Sequence, residues 1–191
     1  ERMKKTIVKA KLPSRTDFVS ALEEIDFKFA APYWQHDRIF VPRNFDRSKT
    51  QPRLSLRTIV KGADKAIYAL VLRRHFENSH MDLINATPVT DYAEAAHILY
   101  QLGYELKYEV ARRREELDMG DTIKIYIDKI DTLQGYYAKI ESELDDKDDT
   151  KESYEDICET FKVLGVPKSS IIANTYGELL ESTPPLEQVG M

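Results

Sequence analysis

The chain has 191 residues and a formal net charge of −5, with 42% hydrophobic and 32% charged residues. These values describe a globular protein with a substantial core, and the acidic balance argues against a general nucleic-acid binder. No apolar run approaches the ~20 residues that a membrane helix needs, and no signal-peptide pattern is visible, so we expect a cytoplasmic protein. The single Cys158 excludes an internal disulfide and a cysteine-based zinc site.

The first half of the chain predicts strands that are interrupted by one amphipathic helix. In chain order the predicted elements are a strand over 5–12, a helix over 17–27, a strand over 34–41, and a hairpin of 54–61 and 65–74. Basic residues recur along the hairpin, namely Arg53, Arg57, Lys61, Lys65, Arg73 and Arg74. A shared anion would explain them, and so would exposure to solvent. Segment 75–89 is ambiguous, with a short strand over 82–85.

The second half predicts a mixture of helices and antiparallel strands. In chain order the predicted elements are a helix over 90–102, strands over 107–116, 122–130 and 135–144, an acidic loop over 145–151, a helix over 153–164 capped by Ser153, and a short helix over 169–180. The apolar stripe of the first of these helices consists of Ala95, Ile98, Leu99 and Leu102. Together with the first half, this predicts a mostly antiparallel α+β protein.

The strand over 122–130 alternates between an apolar and a polar face. Its isoleucines are separated by Lys124, Tyr126 and Asp128, which is the period-two pattern of a half-buried strand. The two neighbouring strands also carry charged side chains on one face. The polar face is either an ordinary wet face of an antiparallel sheet or the interior of a barrel whose outside is covered by helices.

Short motifs follow one another along the chain in an order that resembles a known family. They are Lys5–Lys9, Asp37–Phe40, Leu54–Arg57, Leu70–Arg73, Leu102–Tyr104, Arg112–Arg114, Lys139–Glu141 and Thr175–Leu180. In this order and spacing they resemble the CYTH superfamily, or triphosphate tunnel enzymes, and within it the class IV adenylyl cyclase branch. The resemblance spans residues 4–181 as a single domain and leaves 182–191 as a loose tail.

The resemblance implies an eight-stranded antiparallel β-barrel with flanking helices, whose interior binds a nucleotide triphosphate or an inorganic polyphosphate. The phosphate-binding residues that it implies, and that the strand pattern makes available to a polar interior, are Lys9, Lys11, Arg57, Arg73, Arg112, Arg114 and Lys124. The implied ligands for Mg²⁺ or Mn²⁺ are Asp128, Glu141 and Glu143. Relatives of this type also suggest a homodimer.

The sequence departs from the family pattern where the family places glutamates. Lys5 and Ile7 stand in place of both glutamates of the first-strand Glu-x-Glu-x-Lys motif, and Lys139 replaces the first glutamate of the last strand. Three hypotheses therefore stay open. The protein binds a triphosphate with weakened or lost catalysis, or it is an active class IV adenylyl cyclase or metal-dependent triphosphatase, or it is a scaffold without a ligand.

Overall fold

The computed structural model describes residues 2–46, 52–76 and 80–182. Within these ranges the strands are β1 (Arg2–Lys11), β2 (Tyr33–Pro42), β3 (Arg53–Val60), β4 (Ile67–Phe76), β5 (Met81–Val89), β6 (Tyr104–Asp118), β7 (Ile123–Ile130), β8 (Tyr137–Glu143) and β9 (Ile171–Ile172). The helices are α1 (Arg15–Glu23), α2 (Tyr92–Gln101), α3 (Thr150–Val163) and α4 (Tyr176–Ser182). None of these helices is both long and apolar enough to cross a membrane.

Eight of the strands form a closed antiparallel barrel in the order β5-β4-β3-β2-β6-β7-β8-β1. The barrel closes because the first residues of β1 pair with β5, from Arg2 opposite Asn85 to Lys5 opposite Asp82. Further along, β1 pairs on the same side with the short strand β9, which lies opposite Lys9 and Ala10. Closure leaves no long unpaired edge. The predicted eight-stranded barrel is therefore confirmed.

The outer face of the barrel is apolar and is covered by helices. Phe18 and Leu22 of α1 and Ile157 and Phe161 of α3 pack on the largest core cluster. The strand residues of that cluster are Val8, Ala10, Leu117, Ile125, Ile127, Ala138 and Ile140, and Leu12 joins it directly after β1. Because side chains alternate along a strand, the charged residues between them point into the barrel. The polar face is thus the barrel interior, which was the second of the two interpretations of the alternation.

Helix α4 closes one end of the barrel. Tyr176 is buried in a cluster with the inward-facing Val110, Ile130 and Tyr137. A Cβ on the next residue, Gly177, would lie 2.7 Å from ring atoms of Tyr108, so only glycine allows this close approach. The helix that contains most of the tail motif therefore contributes to the interior of the barrel.

Several predicted elements are corrected by the structure. The single helix over 169–180 is wrong, because Ile171 and Ile172 pair with β1 and divide the segment into a 3₁₀ turn, β9 and α4. Helix α3 begins at Thr150 with Asp149 as its N-cap, so the predicted acidic loop ends earlier and Ser153 is not the cap. The ambiguous segment 75–89 contains the full strand β5.

The apolar stripe of α2 is also corrected. Ala96 and Leu99 are its buried residues, and they pack on Phe40 and Leu56, whereas Ile98 and Leu102 are 50% and 68% exposed. The helix thus presents a narrower face to the barrel than the periodicity predicts. Of the predicted tail over 182–191, Ser182 is the last residue of α4 and the rest lies outside the described residues.

Candidate functional site in the barrel interior

One buried cluster in the interior is built around Asp128, and we call it the Asp128 cluster (Asp128, Arg114, Tyr176 and Gln35). Arg114 donates to both carboxylate oxygens of Asp128, at 2.6 and 2.7 Å, and the Tyr176 hydroxyl donates at 2.8 Å. Gln35 Oε1 accepts from Arg114 at 3.3 Å. Burial alone would raise the pKa of Asp128, but Arg114 outweighs it and lowers that pKa to about 2. The cluster is ionised and internally satisfied.

A second carboxylate, Asp37 on β2, joins two arginines from neighbouring strands. Arg57 donates to it from Nε at 2.7 Å and from Nη2 at 3.3 Å, and Arg112 donates to Oδ2. Gln35 Nε2 donates to the same oxygen at 2.9 Å. Although burial would raise the pKa of Asp37, the two arginines hold it below its usual range. Arg112 Nε is buried and has no hydrogen-bond partner within the described part of the chain.

A third cluster lies where β4 meets β5, and we call it the Asp82 cluster (Asp82, Arg73 and His75). Arg73 donates from Nε and Nη2 to the two oxygens of Asp82, both at 2.9 Å, and His75 Nδ1 lies 3.1 Å from Oδ1. The Asp82 side chain is 1% exposed, whereas that of Arg73 is 37% exposed. The carboxylate therefore anchors one side of the guanidinium and leaves its other donors accessible.

Lys9 on β1 is buried among other cations. Its Nζ donates to the Asn174 carbonyl and lies 4.8 Å from the centroid of the Tyr176 ring. Burial lowers its pKa to about 7, and Arg73 and Lys139 act in the same direction. A buried ammonium in a positive environment is unfavourable unless an anion offsets it.

Glu141 on β8 holds two lysines. Lys139 Nζ contacts its Oε1, and Lys5 Nζ donates to its Oε2 at 3.0 Å. The three side chains are between 8% and 14% exposed. Burial lowers the pKa of Lys139 to about 8, although Glu141 opposes the effect. This places two positive charges on a single carboxylate.

The structure brings five of the predicted phosphate-binding residues into or beside these clusters and separates the other two. Lys9, Arg57, Arg73, Arg112 and Arg114 face the middle of the interior. Lys11 is exposed at the end of β1, beside Gly135 in the turn between β7 and β8. Lys124 lies at the opposite rim, paired with Glu116 and Asp118 at 3.0 and 3.2 Å.

The predicted metal ligands do not fit a divalent cation. Asp128 is bound by Arg114 on both oxygens, and Glu141 by a lysine on each oxygen. Glu143 is 44% exposed and lies 3.6 Å from Lys5. Among the residues that the structure describes, no group of three or more His, Cys, Asp or Glu side chains could hold a metal ion. Hard divalent cations need several free carboxylate oxygens, and here cations already occupy them.

Sequence reasoning missed the acidic partners of the arginines. Asp37 stood in a recognised motif, but its role as a bridge between β3 and β6 depends on strand register. Asp82 lay in the ambiguous segment, and its pairing with Arg73 follows from the β4–β5 register. Tyr176 stood in the tail motif, and only the position of α4 places its hydroxyl on Asp128.

Comparisons with known proteins connect this barrel to one family. A family model described as CYTH domain matches residues 3–176. None of the curated proteins matches the sequence significantly.

Several solved structures share the fold. A candidate adenylate cyclase from Vibrio parahaemolyticus superposes with a TM-score of 0.78 at 17% identity, covering 94% of this chain and 99% of its own. The PH1819 protein of Pyrococcus horikoshii OT3 gives 0.79 at 22% identity, with coverages of 93% and 98%. HpAC1 from Hippeastrum, a candidate adenylyl cyclase described as having a dominant triphosphatase activity, gives 0.60 at 14% identity, with coverages of 97% and 99%.

Proposed function

This chain belongs to the CYTH domain family, and we propose that its barrel binds a triphosphate-containing anion, either a nucleoside triphosphate or an inorganic polyphosphate. The observation that carries the proposal is an excess of cations in the middle of the interior. The cations there are Lys5, Lys9, Arg57, Arg73, Arg112, Arg114 and Lys139, and the carboxylates are Asp37, Asp82, Asp128 and Glu141.

Two of these cations lack a full complement of partners. The Lys9 ammonium contacts the Asn174 carbonyl and the Tyr176 ring, and neither carries a formal charge. Arg112 has a buried Nε without a hydrogen-bond partner among the described residues. A buried donor without a partner costs about 1–3 kcal/mol, so a phosphate oxygen that reached these groups would gain that amount in addition to the charge attraction.

Arg57 and Arg73 are suited to bind the same anion. Each uses part of its guanidinium on a buried carboxylate, and their side chains remain 30% and 37% exposed. An arginine carries five N–H donors in a planar fork, so the donors that remain match the oxygens of a phosphate. Because the carboxylates fix the guanidinium planes, little side-chain entropy is lost on binding.

The relatives support this class of ligand. The triphosphatase activity described for HpAC1 requires a triphosphate substrate, and that protein shares the barrel with this chain. Turnover by this chain would make it an adenylyl cyclase or a triphosphatase. Assays for released phosphate and for cyclic AMP, made on the protein incubated with ATP or tripolyphosphate and Mg²⁺ or Mn²⁺, detect that turnover.

The experiment that tests the proposal is a thermal-stability titration with tripolyphosphate and ATP, with orthophosphate for comparison. A ligand at ~100 times its dissociation constant should stabilise the native protein by about 2.7 kcal/mol. The Arg112→Gln variant should lose most of this shift. Arg113→Gln provides a matched control, because Arg113 is the next residue on the same strand and lies exposed on the other face.

A second candidate function is a scaffold without a ligand, and the Asp128 cluster favours it. There the arginine, carboxylate, amide and hydroxyl satisfy one another inside the protein. If neither polyphosphate shifts the melting temperature, and Arg112→Gln and Arg113→Gln respond alike, the binding function is refuted and the scaffold remains.

A further inference from the structure

Two departures from the family pattern meet at one carboxylate. Lys5 stands on β1 at a position where the resemblance expects a glutamate, and Lys139 stands on β8 at another such position. In the β1–β8 register Ile7 lies opposite Glu141, so Lys5 is a diagonal neighbour of Glu141 across the strands. Lys139 lies two residues before Glu141 on the same face of β8. Both ammonium groups reach the Glu141 carboxylate, one on each oxygen.

The charge of the cluster around Glu141 is opposite in sign to that of a site that binds a divalent cation. A divalent cation is held by several carboxylates that carry more negative charge than one residue can supply. Here one buried carboxylate holds two ammonium groups, and the second carboxylate near Lys5, that of Glu143, is 3.6 Å away and 44% exposed, so the buried part of the cluster carries a net positive charge that is covalently part of the chain. Glu141 cannot accept a further cation without losing one of its lysines.

The cluster also lies beside the cations that the proposed function uses. Lys139 pairs across the strands with Lys9, and the charges of Lys139 and Arg73 act on Lys9. The Lys139 ammonium lies 4.6 Å from the Tyr126 ring centroid, and the Arg114 guanidinium lies 4.5 Å from the same centroid. The two lysines thus belong to the same positive interior as Lys9 and the arginines.

We propose that the Lys5–Glu141–Lys139 cluster takes the place of a divalent cation in this barrel, so that the protein binds the metal-free form of a polyphosphate. This inference rests on the proposed function. The inference predicts the direction in which Mg²⁺ changes the affinity for polyphosphate. Mg²⁺ binds the phosphate oxygens of polyphosphates, and the buried interior carboxylates of the described residues are already paired with lysine or arginine, so Mg²⁺ competes with the protein for the ligand.

The test is calorimetric titration of tripolyphosphate into the full chain, once in EDTA and once in excess MgCl₂ at matched ionic strength. We expect affinity in EDTA to exceed affinity in Mg²⁺ by about tenfold or more. Equal or tighter binding in Mg²⁺ overturns the inference and leaves the polyphosphate function standing. Absence of binding in both buffers overturns the polyphosphate function, and the inference with it.

Variants of Lys5 and Lys139 distinguish a role in binding tripolyphosphate from a role in folding. Lys139→Gln shortens the side chain by one bond and removes its charge, and we expect about tenfold weaker binding in EDTA. The double variant Lys5→Glu, Lys139→Glu surrounds the site with carboxylates, and we expect Mg²⁺ to strengthen its binding of tripolyphosphate. The double variant Lys151→Glu, Lys162→Glu is its control, because it makes the same charge change at two exposed positions of α3.

The outcomes of these variants are distinct. Unchanged affinity of a folded Lys139→Gln protein in EDTA overturns the role assigned to the cluster. If the double variant does not fold, Lys139→Gln still decides, since it introduces no negative charge. A folded double variant in which Mg²⁺ continues to weaken binding also contradicts the inference.

Discussion

The Asp128 cluster and the Asp82 cluster contain the same pair of residue types in nearly the same geometry, yet they differ in what surrounds them. In both, an arginine donates two hydrogen bonds to a carboxylate that is 0% or 1% exposed. Arg114 is itself 4% exposed and has Gln35 as a further partner. Arg73 is 37% exposed.

The difference shows that a bidentate arginine–carboxylate pair does not by itself identify a binding site. What matters is the number of guanidinium donors that remain accessible, or without a partner among the described residues, once the carboxylate is bound. By this criterion the Asp128 cluster holds the barrel and α4 together, and the Asp82 cluster presents a fixed cation to the interior. The predictions below test this division of roles.

The largest effect is expected at Asp128. Asp128→Asn removes the charge that holds Arg114 and leaves a buried guanidinium without its counterion, which should lower the free energy of unfolding by about 3–5 kcal/mol. Urea unfolding at pH 7 measures the loss. Asp118→Asn is the control, since Asp118 is a rim residue that is 63% exposed beside Lys124 and should change stability by less than about 1 kcal/mol. Equal losses in the two variants would contradict a structural role for the cluster.

The next effect is a pH dependence from Lys9, which lies between the two clusters. Its folded-state pKa is lowered to about 7 by burial and by Arg73 and Lys139, with Arg112 acting in the same direction and Glu178 opposing them. An unfolded lysine keeps its proton to about pH 10.4. Between pH 7 and 10 the unfolded chain therefore binds more protons, and folding stability should rise with pH, by up to about 1.4 kcal/mol per unit.

Urea unfolding at pH 7, 8 and 9 checks this dependence, with Lys9→Gln as the control. The difference between the two proteins isolates Lys9 from the other titrating groups, including Lys139. If the stability of the native sequence rises with pH no more steeply than that of Lys9→Gln, the pKa of Lys9 is not lowered in the folded protein.

A smaller effect is expected where α4 meets the barrel. Gly177→Ala places a Cβ against the Tyr108 ring and should cost about 1–3 kcal/mol through overpacking. Because α4 carries Tyr176 to Asp128, the same variant should loosen the Asp128 cluster and leave the Asp82 cluster intact. Hydrogen exchange of the α4 amides measures this, and native-like protection with an unchanged unfolding midpoint would refute the close contact.

The smallest effect separates the clusters by ligand affinity. Asp82→Asn frees a partly exposed guanidinium and raises the positive charge of the interior, so tripolyphosphate should bind about threefold more tightly while stability falls. Asp128→Asn should show no such gain, because Arg114 is not accessible. Calorimetric titration of both variants compares them, and tighter binding in Asp128→Asn alone would reverse the assignment.

The sequence predicts the barrel well because strand alternation and motif order are local properties. The runs around Ile123–Ile130 specify which side chains point inward before any strand is paired. The pairing itself is not local. Asp37 joins Arg57 and Arg112 through two registers, and Lys5 reaches Glu141 through a third. The resemblance implies Glu141 as a metal ligand, whereas its pairing with Lys5 becomes evident only when β1 and β8 are aligned.

The tail shows a related limit. The sequence predicts a helix over 169–180, but Ile171 and Ile172 pair with β1 beyond the residues that β5 pairs. Tertiary pairing overrides the local preference there. The same interruption turns α4 so that Tyr176 enters the barrel.

The most direct test of the account is an NMR titration that follows the arginine Nε–H signals as tripolyphosphate is added without metal. The account predicts that the signals of Arg57 and Arg73 shift and saturate together, while those of Arg114 and of the outward-facing neighbour Arg74 stay in place. Shifts at Arg74 and Arg113 with none at Arg57 and Arg73 would place the anion on the outer surface and contradict the account.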